Sequence, residues 1–309
     1  LDEQGRPLPA GKYTWKGLYH KPVTTKFILS VHNSGQPPYK TDDNTGGWGG
    51  DHGCPTDVCA AGDDLLLSWS FCESGWGIIR VDQAGKKKWG SKHSAMFLAC
   101  DGKRFFAYDP HGFEEAPGIK VFDLADSRPI NWGEGGSLLT PPPGGDEQSD
   151  RVTGLACGGG DVYVSYGARD LIGVFDAATG KLKTTWSVPS PGRLAPRPDG
   201  SLAVVSGGKV LAVADGKASP LAGEHLDDPA GVAVDAEGNL YVANGGRLQN
   251  VSVFSPKGEY LRSIGKAGGR PAVGRYDPAG VLAPGGIALD AAGRLWVAET
   301  LDGPKRHSV

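Results

Sequence analysis

The sequence predicts an all-β protein, a six-bladed β-propeller of four-stranded antiparallel blades. A short apolar strand recurs six times just after a tight glycine or aspartate turn, and the recurrences are spaced like propeller blades. The apolar halves begin at Leu65, Phe105, Val162, Leu202, Leu240 and Leu295. Their separations are about 40, 57, 40, 38 and 55 residues, and removing two Pro/Gly-rich insertions, 131–150 and 266–283, restores a period near 40.

Within each unit, apolar and small or polar residues alternate, break at a turn, and alternate again. This period of two is typical of antiparallel strands. The fifth unit predicts all four strands, and turns at 235–239 and 255–259 separate the first from the second and the third from the fourth. The predicted strands are 231–235, 240–243, 250–254 and 259–264.

The last unit ends at Val309, within its expected third strand. An outer strand is therefore missing, and an exposed sheet edge needs a cover. Residues 26–33 align with the outer strand of the fifth unit, Leu29 against Leu261. We therefore expect residues 26–33 to close the ring, so that 26–309 form the propeller.

Residues 2–20 carry a glycine and proline turn followed by alternating Tyr13, Trp15 and Leu18. This segment resembles the C-terminal hairpin of the flagellar hook-cap type of Ig-like domain that precedes bacterial propellers. The resemblance implies that residues 1–25 are a remnant of such a domain and that the chain is part of a longer protein.

Composition excludes some classes of function. A formal net charge of −3 gives no reason to expect a nucleic-acid partner. No apolar stretch approaches the roughly 20 residues that a membrane helix needs. The chain begins at Leu1 rather than Met, which is compatible with removal of a signal peptide or with a proteolytic boundary in a longer protein. We expect a secreted or periplasmic protein.

Five cysteines leave at least one thiol unpaired within the chain. Cys100 and Cys157 each lie five residues before their anchor, where the fifth and sixth units carry Asp235 and Asp290. Two interpretations stay open for them: packing between blades, or redox or metal chemistry. A local disulfide involving Cys54 or Cys72 is a further alternative.

Loop lengths predict which face carries the function. The turns that join the first strand to the second, and the third to the fourth, are short, whereas the longer connections fall at 33–54, 69–77, 108–117, 131–150 and 266–283. In an antiparallel blade all of these longer connections lie at one end. We call this end the long-loop face and expect binding residues to concentrate there.

The channel rim at the long-loop face should be formed by residues just before each first strand and just after each second strand. The expected binding residues are Trp48, Asp51, His52, Trp69, His93, Tyr108, Asp150, Tyr166, Arg193, Asn244 and Glu299. Such a rim suits a sugar, through ring stacking and hydrogen bonds. It also suits a cation such as Ca²⁺ or Zn²⁺, with His52, His93 and Asp228 as candidate ligands. The alternative for the aromatic residues is packing between blades.

Residues 229–244 and 284–300 follow one pattern: a proline and glycine, an apolar strand, an aspartate turn with glycine, and a second apolar strand. This pattern resembles the NHL repeat. The resemblance covers roughly 50–309 and implies a six-bladed propeller, and 33–55 resembles a signature of large secreted NHL proteins of environmental bacteria. Relatives of this kind include peptide and RNA binders, sensor domains, the gluconolactonase group and the peptide-amidating lyases.

Two functions are compatible with these features. One is an extracellular interaction module that binds a glycan, peptide or protein partner on its long-loop face. The other is a metal-dependent lactonase or lyase, for which the resemblance implies either a Glu/Asn/Asp ligand set, offered by Glu299, Asn244 and Asp228, or channel histidines, offered by His52 and His93. No nucleophile elbow, HExxH or phosphate loop occurs in the sequence. We therefore predict the interaction module, with the enzyme as the alternative.

Overall fold

The protein is an all-β propeller in a computed structural model that describes residues 54–70, 77–83, 86–110, 118–132, 139–270 and 279–300. Each sheet is an antiparallel meander whose strands neighbour one another in chain order. Short alternating apolar segments form the strands, and turns rich in glycine and aspartate join them.

The described residues form four four-stranded sheets, one three-stranded sheet and one two-stranded sheet. The first sheet contains β1 (Cys54–Ala61), β2 (Asp64–Ser70), β3 (Gly77–Val81) and β4 (Lys87–Ser91). The second contains β5 (Phe97–Cys100), β6 (Arg104–Asp109) and β7 (Gly118–Asp123). The third contains β8 (Gly154–Gly158), β9 (Asp161–Tyr166), β10 (Leu171–Asp176) and β11 (Leu182–Ser187).

The remaining sheets follow the same order. The fourth contains β12 (Pro191–Pro196), β13 (Leu202–Ser206), β14 (Lys209–Ala214) and β15 (Lys217–Ala222). The fifth contains β16 (Pro229–Val234), β17 (Leu240–Asn244), β18 (Asn250–Phe254) and β19 (Tyr260–Ile264). The last contains β20 (Pro284–Leu289) and β21 (Leu295–Glu299). Within the described part of the chain, five sheets thus have the three or four strands of a blade, and the sixth has two.

The predicted strand anchors agree with these elements. Each anchor is the first or second residue of the second strand in its sheet, and the fifth unit shows all four predicted strands with ends shifted by at most two residues. Residues just before and within the insertion at 131–150 pair with β7. Pro129 forms a bridge with Phe122, the backbone N–H of Ile130 donates to Val121 O at 2.9 Å, and that of Leu139 donates to Ile119 O at 3.0 Å.

The first strands of the sheets form a ring: β1, β5, β8, β12, β16 and β20 contact one another in sequence, and β20 also contacts β1. Hydrophobic clusters fill the spaces between neighbouring sheets. Val58 and Leu65 of the first sheet, for example, pack with Ala288 and Ala298 of the last. The inner strands of all six sheets surround a central cavity of about 270 Å³.

The segments 1–53 and 301–309 lie outside the described residues. Closure of the ring by residues 26–33, and the hairpin at 1–25, therefore stay predictions. Within the described ranges, no helix is long and apolar enough to cross a membrane.

Candidate functional site

Strand pairing identifies equivalent positions around the central cavity. In every sheet, the residue two positions after the anchor pairs with an apolar residue of the inner strand; examples are Val58 with Leu67 and Leu194 with Val204. The position just before that apolar residue forms one layer of the ring. Its members are Asp57, Phe97, Gly154, Arg193, Gly231 and Gly286. We call this set the mouth layer, because inner strands begin at the long-loop face.

The three side chains of the mouth layer meet in the cavity. Arg193 Nη1 donates to Asp57 Oδ2 at 2.6 Å, which joins the fourth sheet to the first. The guanidinium also lies over the ring of Phe97, 4.3 Å from its centroid. Tyr108 stacks behind Phe97 with centroids 5.9 Å apart. Blades far apart in the chain therefore share one charged and aromatic cluster.

Asp57 is almost completely buried, with 2% exposure, and its carboxylate is fully engaged. Besides Arg193, the backbone N–H of Leu98 donates to Oδ2 at 2.8 Å and that of Val58 donates to Oδ1 at 3.0 Å. A buried carboxylate needs such partners, because an unpaired charge in a low-dielectric interior is costly. These contacts fix Asp57 and, through it, Arg193.

Glycine at the other positions of the mouth layer is a steric requirement. A Cβ atom on Gly286 would lie 1.9 Å from Asp57 Oδ1, and one on Gly231 would lie 2.1 Å from Gly285 O. Both distances are far below van der Waals contact. The three glycines thus allow the inner strands to approach closely and leave room for Asp57, Phe97 and Arg193.

Three unpaired cysteines line the cavity below the mouth layer, towards the face of short turns. Cys59 and Cys100 pack with the cluster between the first two sheets, and Cys157 packs with the next cluster. Strand pairing shows that the predicted counterparts of Cys100 and Cys157 in the last two units, Asp235 and Asp290, are wrong by one residue. Cys100 and Cys157 correspond to Val234 and Leu289, one residue before Asp235 and Asp290, because the turns of the last two units are one residue longer.

Burial raises the pKa of the Cys59 and Cys157 thiols well above the usual value, and the neighbouring thiols add to the shift. Burial also raises the pKa of Cys100. A group with a raised pKa in the folded state stabilises the fold below its unfolded pKa, and this stability is lost as the pH rises above it. We expect the free energy of unfolding, measured by urea denaturation, to fall as the pH rises above about 8.5, the ordinary pKa of a thiol. A Cys59→Ala/Cys157→Ala variant should show a flatter profile, and an equally steep one would contradict this assignment.

The predicted aromatic residues of the rim are buried. Trp69, Tyr108 and Tyr166 are 3%, 7% and 1% exposed. This burial is what the alternative interpretation, packing between blades, predicts. The Arg169 guanidinium carbon lies over the Tyr166 ring, 5.8 Å from the ring centroid. Burial raises the pKa of Tyr166. Asp150 accepts a hydrogen bond from Arg169 Nη1 at 2.5 Å.

Asn244 and Glu299 both lie at the predicted positions after second strands, with their polar atoms engaged. Asn244 is fully buried; its Nδ2 donates to Asn250 Oδ1 at 2.8 Å and to Ser252 Oγ at 2.9 Å, and its Oδ1 accepts the N–H of Asp227. Glu299 pairs with Arg270 and accepts the N–H of Leu282 at 2.7 Å. Both residues fasten connections of the long-loop face.

The remaining predicted residues lie apart from the mouth layer or outside the described residues. His93 packs on Phe122, with ring centroids 4.4 Å apart. Asp228 is exposed in a turn with positive φ. Trp48, Asp51 and His52 fall outside the described ranges. Across the described part of the chain, no group of three or more His, Cys, Asp or Glu side chains is arranged to hold a metal ion.

Sequence reasoning missed Asp57 and Phe97, and it placed Arg193 before its strand rather than within β12. The mouth layer lies eight residues before the anchor in the first three units and nine before it in the others. A fixed count back from the anchors therefore does not align Asp57 and Phe97 with Arg193, and strand pairing is needed to identify these positions as equivalent.

Comparisons with known proteins identify the fold alone. No family model matches the chain, and no curated protein matches it at a significant level. A Bacteroides thetaiotaomicron protein of unknown function is similar with a TM-score of 0.59 and 17% identity, covering 81% of this chain and 67% of that one. A gluconolactonase from Xanthomonas campestris has a TM-score of 0.54 and 15% identity, covering 81% and 84%.

An inactive variant of virginiamycin B lyase from Staphylococcus aureus, with quinupristin, is also similar. Its TM-score is 0.51 at 14% identity, covering 80% of this chain and 78% of that one. At these identities the shared property is the propeller architecture, and a fold of this kind supports many unrelated functions.

Proposed function

We propose that the chain is an interaction module that binds a glycan, peptide or protein partner on its long-loop face. In this proposal the propeller is six-bladed and of the NHL type, the two-stranded sheet is the sixth blade, and residues 26–33 complete it. The protein is secreted or periplasmic. The contacts of β20 with both β16 and β1 support a sixth blade, because they give the last sheet the position of one in the ring.

The difference in loop length between the two faces is the observation that supports the proposal most strongly. At one face, among the described blades, no connection between paired strands exceeds five residues. We call this the short-turn face. The opposite face carries residues 140–153 before β8, and residues 265–270 and 279–283 before β20. Long connections on a rigid scaffold are where binding residues usually lie.

Parts of these long connections are held in place by hydrogen bonds. Arg169 donates to Pro142 O at 2.9 Å, to Pro143 O at 2.8 Å and to Asp150. Gln249 Oε1 accepts a hydrogen bond from the backbone N–H of Ala283, at the end of the connection before β20. A surface that is ordered before binding loses less conformational entropy when a partner binds. These contacts therefore favour a recognition surface.

The alternative is a metal-dependent lactonase or lyase, and solved propellers of similar shape include a gluconolactonase and a lyase. Its candidate ligands here would be Glu299, Asn244 and Asp228. The oxygen atoms of Asn244 and Glu299 accept hydrogen bonds that fasten the surrounding connections. These structural roles favour the interaction module.

Arrays of glycans and peptides, followed by calorimetric titration of the hits, test the proposal. Arg151 and Arg247 are exposed on the long-loop face, and Lys217 and Lys257 are exposed on the short-turn face. We expect Arg151→Glu/Arg247→Glu to weaken binding at least tenfold. The matched variant Lys217→Glu/Lys257→Glu should bind within about twofold of the unmodified protein.

Two outcomes would contradict the proposal. One is that no member of the arrays binds, and the other is that the short-turn variant loses binding while the long-loop variant keeps it. The paired design removes two positive charges and adds two negative ones in both cases. A general effect of net charge would therefore change both variants equally.

A further inference from the structure

We infer that the mouth layer binds the carboxylate of a small acid, with Arg193 as its recognition residue. The inference rests on the proposed function and specifies the chemistry of the ligand. Three observations support it: the unused donors of Arg193, the contact of its guanidinium with Phe97, and the small space below it.

Arg193 has hydrogen-bonding capacity to spare. A guanidinium carries five N–H donors, and among the described residues only Nη1 has a protein acceptor, Asp57. Unlike the buried Nε of Arg197, the Nε and Nη2 atoms of Arg193 are not buried without a partner. With 17% of its side chain exposed, Arg193 thus keeps donors accessible beside the cavity.

Phe97 holds the guanidinium in a defined place. The ring lies against the guanidinium at 4.3 Å and is itself supported by Tyr108. Stacking uses the face of an arginine, whereas its hydrogen bonds lie in the guanidinium plane. The N–H groups that Asp57 does not engage are therefore left for the two oxygens of a carboxylate.

The space next to Arg193 limits the rest of the ligand. The cavity of about 270 Å³ is small for a binding pocket, and its walls below the mouth layer carry small apolar side chains. Ala99, Ala156, Ala195, Ala233 and Ala288 are among them. A ligand of a few carbons therefore fits beside the guanidinium, whereas a large one does not.

The negative charge of Asp57 is expected to weaken binding of a carboxylate ligand. Its carboxylate already accepts from Arg193, so a second carboxylate must share that guanidinium with a nearby negative charge. Removal of the Asp57 charge should therefore strengthen ligand binding, while loss of Arg193 should weaken it. A residue pair with only a structural role would not produce opposite changes.

The same carboxylate chemistry has two sources, a free small acid and the C-terminus of a peptide. The probes are isovalerate against isovaleramide, and acetyl-Gly-Gly-Val against its C-terminal amide. We expect at least one acid to bind by calorimetric titration and its neutral amide to bind at least tenfold more weakly. Which acid binds identifies the source.

The variants then test the role of the mouth layer. Arg193→Gln should weaken acid binding at least tenfold, Arg193→Lys should restore part of it, and Asp57→Asn should strengthen it several-fold. Thermal denaturation of each variant shows that it is folded. Binding of neither acid, equal affinity for acid and amide, or loss of binding in both Arg193→Gln and Asp57→Asn would overturn the inference. If array hits bind independently of Arg193, the inference fails while the proposed function stands; if neither the array members nor the acids bind, both fail.

Discussion

Deletion of residues 1–33 is expected to lower the melting temperature by about 10 °C. The proposed closing strand at 26–33 would cover the outer edge of the last blade and bury aliphatic side chains such as Leu29. Two buried aliphatic side chains stabilise a fold by about 4 kcal/mol. For a chain of this size, 1 kcal/mol shifts the melting temperature by about 2–4 °C.

A shorter deletion is the matched control. Removal of residues 1–25 takes away the predicted hairpin and leaves the closing strand, so its melting temperature should equal that of the full chain. Leu29→Glu in the full chain should reproduce most of the larger deletion's effect. The closing role fails if the 1–33 deletion melts at the same temperature as the 1–25 deletion.

Asp57→Ala is expected to lower the free energy of unfolding by about 3 kcal/mol. Removal of one partner from a buried ion pair costs about 3–5 kcal/mol, and the partial exposure of Arg193 places the expectation at the lower end. The substitution also leaves the N–H groups of Leu98 and Val58 without their acceptor. Denaturation in urea measures the change.

Arg193→Met provides the contrast, because Asp57 then keeps both backbone donors and the apolar side chain still covers Phe97. We expect a smaller loss than for Asp57→Ala, and the double variant should be less destabilised than the sum of the two. Asp126→Ala removes an ion pair at the exposed surface and should leave the denaturation midpoint almost unchanged. Additive effects of Asp57→Ala and Arg193→Met would contradict a direct coupling of the two side chains.

Local patterns predicted most of the described fold. The anchors correctly predicted the second strand of each sheet. A tight turn followed by alternating apolar residues is a local sequence pattern that defines a hairpin. The edge element beside β7 was harder to predict. Pro129, Ile130 and Leu139 pair with β7 at isolated positions in or beside a Pro/Gly-rich segment, so the sequence pattern indicated an insertion there.

The site was less accessible to sequence reasoning because it depends on contacts between distant blades. Arg193 and Asp57 are 136 residues apart, and nothing local to either one indicates the other. Their equivalence appears only when inner strands are aligned through the ladder, since turns of unequal length displace the units by one residue. The same displacement explains the misplaced equivalents of Cys100 and Cys157.

Hydrogen–deuterium exchange of the protein with its best ligand tests the central claim, recognition at the long-loop face, most directly. We expect the ligand to slow exchange in peptides that cover the connections 140–153 and 245–249 and the start of β12, where Arg193 lies. Peptides that cover the short turns 197–201, 235–239 and 255–259 should exchange unchanged. Protection confined to those short turns would contradict the account.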